Sequence, residues 1–455
     1  MIVNAEATTH ILARFTSELT IEDIPPVALE IAKRALLDLL AAAIAGRDTL
    51  SARAVTASAE TIFAKGTASL WFSNKALTAP GAAYVNSILA SAQDLDDGHR
   101  QAMGHPGASI IPAAIAVAEE TQTSGMELLL AIIAGYEVAI RIAASRDLDP
   151  QETLASGKWC GFGAVAAAGR LRRMSADKLA EAMAIAGVQA PGLAAARYSR
   201  VSGNSVKEGI AWSTLTALCA MEPAERGFTG PIDILDNPDY YDREKIISGL
   251  GKIFAIEQLY FKPYSCCRWI HSAIDALTTI LTEHDLTAEK ITGIDVHLFE
   301  RAFSLDNNPD PDSLEGAQYS IPFCLSVVAV VGREALLPMQ MSLLSREDII
   351  TLARKIRLFE ETELTAQFPE TVPARVIVHT KNDRHIKLVK HPEGDPANPM
   401  QWQAIEDKFR LLSQPYQDSF DVNKVIDTIK NIEGGTINDL KYALEIGWFD
   451  PILGS

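Results

Sequence analysis

The chain has 455 residues, 48% hydrophobic and 22% charged, with a formal net charge of −17. That length is too great for one compact core and predicts two domains, while the composition is that of a folded soluble protein and excludes disorder. The acidic balance argues against wrapping nucleic acid and against long-range steering of an anionic substrate, so any anion site must be built from local cations.

Five cysteines, Cys160, Cys219, Cys266, Cys267 and Cys324, make no C-x-x-C pair. Neither a disulfide framework, a zinc site nor an iron–sulfur cluster follows from that spacing, and a reduced cytoplasmic location is the expectation. The opening MIVNAEATTHILARF lacks a basic-then-apolar leader pattern. The longest apolar run, LLLAIIAG at 128–135, is far shorter than a bilayer span. No membrane partner is expected.

In chain order, helical periodicity dominates up to about residue 260. IPPVALEIAKRALLDLLAAAIAG begins with prolines tolerated in a first helical turn and stops at Gly46. Helical patterns recur at 79–93, 109–121, 125–144, 162–174 and 178–190, rich in Ala and Gly, which lets helix axes approach closely. The character changes after FKPYSCCRWIH. ITGIDVHLFE reads as a strand, and PARVIVHT and RHIKLVKH read as a hairpin about KND. Helical YSIPFCLSVVAVVG and SREDIITLARKI lie between them. HPEGDPANPM punctuates the chain before WQAIEDKFRLL, DVNKVIDTIKNI and INDLKYALEI return to helix. The expected fold is mostly α: a large all-helical domain, residues 1–265 completed by 400–455, with an inserted smaller α+β lid domain at 266–399. A cleft between such domains is the natural ligand site.

The stretch SAQDLDDGHRQAMGHPGASIIPAA at 91–114 gathers Asp94, Asp96, Asp97, His99 and His105. One reading is a solvated loop that caps the next helix. Another is an oxygen-rich magnesium site, but no second acidic motif and no basic grip for a diphosphate accompany it. The acid–base reading fits better: a histidine can remove and return a proton near neutral pH while a carboxylate holds its tautomer. Asp94 and His105 supply those roles, and the helix start at Pro106-Gly107 adds exposed N–H groups.

Three further stretches carry polar groups. In ASGKWCGFGAVAAAG, Gly157, Gly161 and Gly163 lack the P-loop order and read as helix-packing glycines. RYSRVSGNSVKEGIAW places Tyr198, Arg200 and Lys207 around a Gly-Asn turn. EQLYFKPYSCCRWIHSAIDAL places Lys262, Arg268 and His271 within ten positions at the domain junction. These three are either a carboxylate clamp beside a proton-transfer group or an interdomain salt-bridge cluster. Tyr319, in EGAQYSIPF, is a phenolic proton donor or a buried structural tyrosine.

At these residues the sequence resembles the MmgE/PrpD family, which includes 2-methylcitrate dehydratase, cis-aconitate decarboxylase and iminodisuccinate epimerase. The likeness is carried by ALLDLLAAAIAG, DLDDGHRQAMGHPGASIIPA, SGNSVKEGIA, KPYSCCRWIHSAIDA and GDPANPM. It implies a helical domain with an α+β lid, a homodimer, an active site between the domains, no cofactor and no metal. Residue by residue, it implies catalytic roles for Asp94, His105, His271 and Tyr319. Two positions depart from the family pattern: Leu154 stands where many members have a histidine, and Lys207 lies beyond the Gly-Asn turn rather than before it.

The shared chemistry is removal of a proton alpha to a carboxylate, with the developing enediolate-like charge stabilised by fixed cations. Arg200, Lys207, Lys262 and Arg268 are the expected substrate-binding cations. One imidazole takes the proton and the other protonates a leaving hydroxyl or the opposite face of the carbanion. The expected function is therefore a hydro-lyase on a small di- or tricarboxylate. Epimerisation and decarboxylation are the close alternatives, and a non-catalytic carboxylate-binding homologue is the alternative of another class.

Overall fold

The computed structural model describes residues 6–147, 153–191 and 204–445, and most of them are helical. The helix Pro26–Gly46 begins, as its prolines require, with Pro26 in the first turn and ends at its glycine. The helices Gly125–Ala144 and Cys160–Leu171 pack so closely that a Cβ on Gly163 would sit 2.4 Å from the carbonyl oxygen of Gly135. At their centre runs the helix Gly107–Thr121, buried from Gly107 to Glu119. It packs against the helices Ala79–Ser91, Cys160–Leu171 and Ile210–Glu225.

Short strands tie loops to this bundle. β1 (Lys65–Ser69) pairs antiparallel with β2 (Ala76–Leu77), and β3 (Gly98–His99) with β4 (Leu259–Tyr260). The second pair joins the acidic loop to the segment that leads into Lys262. A larger sheet is built from β5 (Ile291–Leu298), β6 (Ile356–Glu360), β7 (Ala374–Thr380) and β8 (Arg384–Val389), in the order β6-β5-β7-β8. β7 and β8 form the hairpin expected around KND.

Neither these short pairs, β1–β2 and β3–β4, in the part expected to be all-helical, nor β6 was expected. SREDIITLARKI reads as helix through Ile356, but the helix Glu347–Ala353 stops three residues earlier and Ile356 opens β6, parallel to β5. Parallel partners are distant in sequence, and a short edge strand leaves no period of its own to read.

Buried apolar side chains fall into two clusters. One draws on Leu12 through Phe261 and again on Met400 through Leu444; the other runs from Tyr264 to Val378. Among the described residues no helix is long and apolar enough to cross a membrane.

Candidate active site

The acidic loop follows the helix Ala79–Ser91, and its first aspartate is strained. Asp94 has a φ of 53°, in the left-handed region that costs a non-glycine residue about 1–3 kcal/mol. Met103, Lys207 and Glu208 share that conformation, with φ of 51°, 43° and 56°. Such strain persists only where surrounding contacts over-determine it, and here those contacts are ionic.

Lys207 Nζ donates to Asp94 Oδ1 at 3.3 Å, and Lys262 Nζ to Oδ2 at 3.0 Å and to the Asp94 carbonyl at 3.1 Å. Lys207 Nζ also donates to Gln318 Oε1 at 2.8 Å, and Gln318 Nε2 to the Ala92 carbonyl at 3.2 Å. Burial alone would raise the Asp94 carboxyl. The two ammonium groups, with His105, outweigh it and hold Asp94 well below the usual carboxylate range. Asp94 is a fixed anion, and Lys207 and Lys262 are its partners rather than free grips for a substrate.

His105 stands just before the helix Gly107–Thr121, and Ser156 Oγ accepts from its backbone N–H at 2.9 Å. Its Nδ1 lies 3.2 Å from the Asp97 carbonyl oxygen and 3.2 Å from Asp96 Oδ2. Its Nε2 lies 3.8 Å from Asp94 Oδ1 and 3.9 Å from Glu208 Oε1. Burial and Lys262 oppose the charged ring, but Asp96 and Glu208 outweigh them and raise its proton affinity above the ordinary histidine value.

Asp97 serves the fold. Its Oδ1 accepts from the Gly107 N–H at 3.1 Å and its Oδ2 from the Tyr136 hydroxyl at 2.6 Å. Burial pushes its carboxyl up to about 7, with Asp96 and Asp38 adding and Tyr136 opposing. A Cβ on Gly107 would stand 2.3 Å from Asp97 Oδ1, which is why the HPG sequence needs its glycine. Burial and the neighbouring Arg100 lower His99 to about 3, so its ring is neutral.

Beside His105 lies a cavity of about 210 Å³, below the roughly 300–1,000 Å³ of sites for drug-sized ligands. Its helical-bundle side carries His99, Arg100, His105, Leu154 and Glu208; the other side carries Arg268, Arg301 and Tyr319 with apolar Trp269, Leu305 and Phe368. Leu154 adds an apolar surface there. Cys267 also lines the cavity, but burial pushes its thiol up to about 12, so it is no thiolate nucleophile.

The other expected residues divide. Arg268 reaches the cavity while Nη1 donates to the Glu393 carbonyl at 2.8 Å and Nη2 to the Pro392 carbonyl at 3.2 Å; its buried Nε has no hydrogen-bond partner. Lys262, Lys207 and Asp94 are buried and are not among the cavity-lining residues. His271 is fully buried and is not among them either. Its Nδ1 faces Arg268 Nη1 at 3.2 Å and its Nε2 faces the Cys266 carbonyl at 3.2 Å. Burial, then Arg268 and Lys262, hold it well below the ordinary histidine range. Two imidazoles opposed across one cavity are thus not what this geometry presents: a helix-borne histidine beside an arginine was satisfied by that arginine. Arg200 and Tyr198 lie outside the described residues.

Glu208, Ser156, Gln318, Arg100 and Arg301 were not singled out by sequence. Glu208 left one signal, a carboxylate directly after Lys207 and before Gly209 in SVKEG. Asp94, Asp96 and His105 each offer a ligand atom within 4.8 Å of one another. Both Asp94 oxygens already accept from ammonium groups, and a dication there would sit beside Lys207 and Lys262. That donor set fits proton transfer better than cation binding.

The chain also matches known proteins over most of its length. The family model of the MmgE/PrpD N-terminal domain matches residues 10–243, and that of the MmgE/PrpD C-terminal domain matches 264–433. The chain is 26% identical to cis-aconitate decarboxylase of Aspergillus terreus over 473 aligned residues, covering 96% of this chain and 95% of the relative. It is 25% identical to the cis-aconitate decarboxylase-like protein oryM of Aspergillus oryzae, covering 93% and 94%.

Proposed function

The chain belongs to the MmgE/PrpD family, and on that premise we propose that it is a cofactor-independent lyase acting on a small di- or tricarboxylate, with His105 delivering a proton. One observation carries this reading: the His105 ring stands at the cavity with Asp96 at one nitrogen and Asp94 and Glu208 near the other. A ring so placed holds its proton until a substrate carbanion or leaving oxygen takes it. Positioned proton donors contribute about 10²–10⁴ in rate.

Decarboxylation goes ahead of dehydration in this reading. A carboxylate allylic to a conjugated acid leaves as CO₂, and the electron pair of the broken C–C bond moves into the neighbouring unsaturated carboxylate. The alpha carbon of that acid then takes the proton from His105, which solvent replaces. The sequence needs one proton donor and cations that balance the spread charge; Arg100, Arg268 and Arg301 line the cavity, with Arg100 and Arg268 also facing Asp395 at 3.3 and 3.9 Å. The relatives named cis-aconitate decarboxylase support the same choice. Dehydration needs a base as well as an acid; Tyr319, in the same cavity, is the group that keeps it the second reading.

Incubation with unsaturated and hydroxylated tricarboxylates in D₂O, followed by NMR, tests the proposal. Decarboxylation gives CO₂ and one deuterium at carbon; dehydration gives an alkene from a hydroxy acid; epimerisation gives exchange without net loss. Exchange alone, or binding of these acids with none of the three changes, overturns it. The family resemblance also supports a homodimer, which light scattering would check.

A further inference from the structure

The turn that carries Lys207 is more constrained than its length requires. Lys207, Glu208 and Gly209 have φ of 43°, 56° and 70°, three left-handed residues in a row of which only the last is glycine. The facing segment clamps them. Ser156 donates to Glu208 Oε2 from its backbone N–H at 2.9 Å and from its hydroxyl at 2.6 Å. A Cβ on Gly157 would fall 2.5 Å from the Glu208 carbonyl oxygen and 2.7 Å from that of Gly209. The clamp aims two neighbouring side chains at one imidazole's surroundings: Lys207 holds Asp94, and Glu208 Oε1 comes within 3.9 Å of His105 Nε2. The Ser156 hydroxyl that binds Glu208 also accepts from the His105 backbone N–H at 2.9 Å, so one serine indexes both groups.

From these contacts we propose that Glu208 is a positioning residue for His105, fixed by Ser156 so that its carboxylate keeps the proton on the Nε2 side of the ring. The inference rests on the reading of His105 as proton donor. The groups facing His105 are Asp94 and Glu208 at Nε2, Asp96 and the Asp97 carbonyl at Nδ1, and Lys262, which opposes the charged ring. Asp94 is neutralised by Lys207 and Lys262, and Asp96 attends the other nitrogen. Glu208 is therefore the anion near Nε2 that a neutral hydroxyl, rather than a lysine, holds in place. A left-handed non-glycine turn is maintained because relaxing it would swing the carboxylate away.

Histidine-selective NMR on the full chain tests this without a substrate, with the His105 signal identified by its loss in His105→Asn. In the wild-type protein the titration midpoint of His105 should lie above the ordinary histidine value; a midpoint at or below that value overturns the proposal. Glu208→Gln should lower the His105 titration midpoint by about half a pH unit or more, roughly threefold in proton affinity. Ser156→Ala should move it the same way by less, and Glu208→Asp should recover part of the loss. An unchanged midpoint in a folded Glu208→Gln protein overturns the proposal. In kinetics, the alkaline limb of kcat/KM should move with that midpoint, whereas a purely structural role would lower rates equally at every pH. A shifted midpoint with no alkaline limb would leave Glu208 as inferred and remove His105 from the reaction.

Discussion

Arg268 and His271 stand one helical turn apart at the start of the helix Arg268–Glu283, and Nη1 of the arginine meets Nδ1 of the histidine at 3.2 Å. An arginine can only donate, so Nδ1 accepts and the proton of the neutral ring sits on Nε2, facing the Cys266 carbonyl. The histidine thereby aims the one guanidinium of this segment that reaches the cavity. His271→Ala is expected to act through Arg268: KM for the acid substrate rises about tenfold or more, as for a lost hydrogen bond to a charged group. The alkaline limb of the pH profile should stay where it is. Steady-state kinetics across pH decides this, and a fall in kcat with unchanged KM and a new pH limb would make His271 itself a proton-transfer group.

His105→Asn removes the proposed proton donor and keeps a short polar side chain. Turnover should drop by about 10²–10⁴ while the melting temperature stays within a few degrees. Deuterium incorporation from D₂O should vanish with turnover. Intact turnover in this variant would remove His105 from the mechanism.

Lys262 and Asp94 form a buried pair at 3.0 Å, and the carboxylate cannot leave water without its cations. Lys262→Met is expected to cost less than the about 3–5 kcal/mol of stranding one partner of a buried pair, because Lys207 still faces Asp94 at 3.3 Å. Adding Asp94→Asn should deepen the loss, because buried Lys207 then has no carboxylate beside it. Urea denaturation of the two single variants and the double variant measures the coupling. Since Asp94 is held below its ordinary range, its contribution is present above about pH 4 and is lost as pH falls below that.

Asp97 works with the opposite sign. Burial raises its folded carboxyl to about 7, so between about pH 4 and 7 the folded state binds a proton that the unfolded chain has released. Its stability contribution falls as pH rises through that window, by up to about 1.4 kcal/mol per pH unit. Asp97→Asn should flatten the stability profile between pH 4 and 7 without abolishing its slope. Glu137, also raised to about 7 by burial, titrates in the same window with the same sign. Thermal melts across that range test this, and an unaltered slope would mean that Asp97 is ionised in the fold.

Much of the architecture was legible because helices announce themselves locally. Pro26 and Gly46 bound one helix, and the Ala-rich patterns at 79–93, 109–121 and 125–144 lie on the helices Ala79–Ser91, Gly107–Thr121 and Gly125–Ala144. The loop DLDDGHRQAMGHPG also declared itself, since carboxylates and histidines at that density are rare in a chain with nine histidines. What could not be read was the division of labour inside it. Asp94 with two lysines, Asp96 with His105, and Asp97 with Gly107 and Tyr136 are alike in sequence and differ only in their neighbours.

Composition and periodicity, then, determined a mostly helical protein, the position of its strand-bearing segment and the loop where acid–base groups concentrate, because these depend on residues close together along the chain. Tertiary structure decided which groups are free to act. Lys207 and Lys262 converge on Asp94 from positions 113 and 168 residues away, and Glu208 meets His105 through Ser156. Charge state in a buried site is set by distances of 3–4 Å, and those distances belong to packing between remote segments.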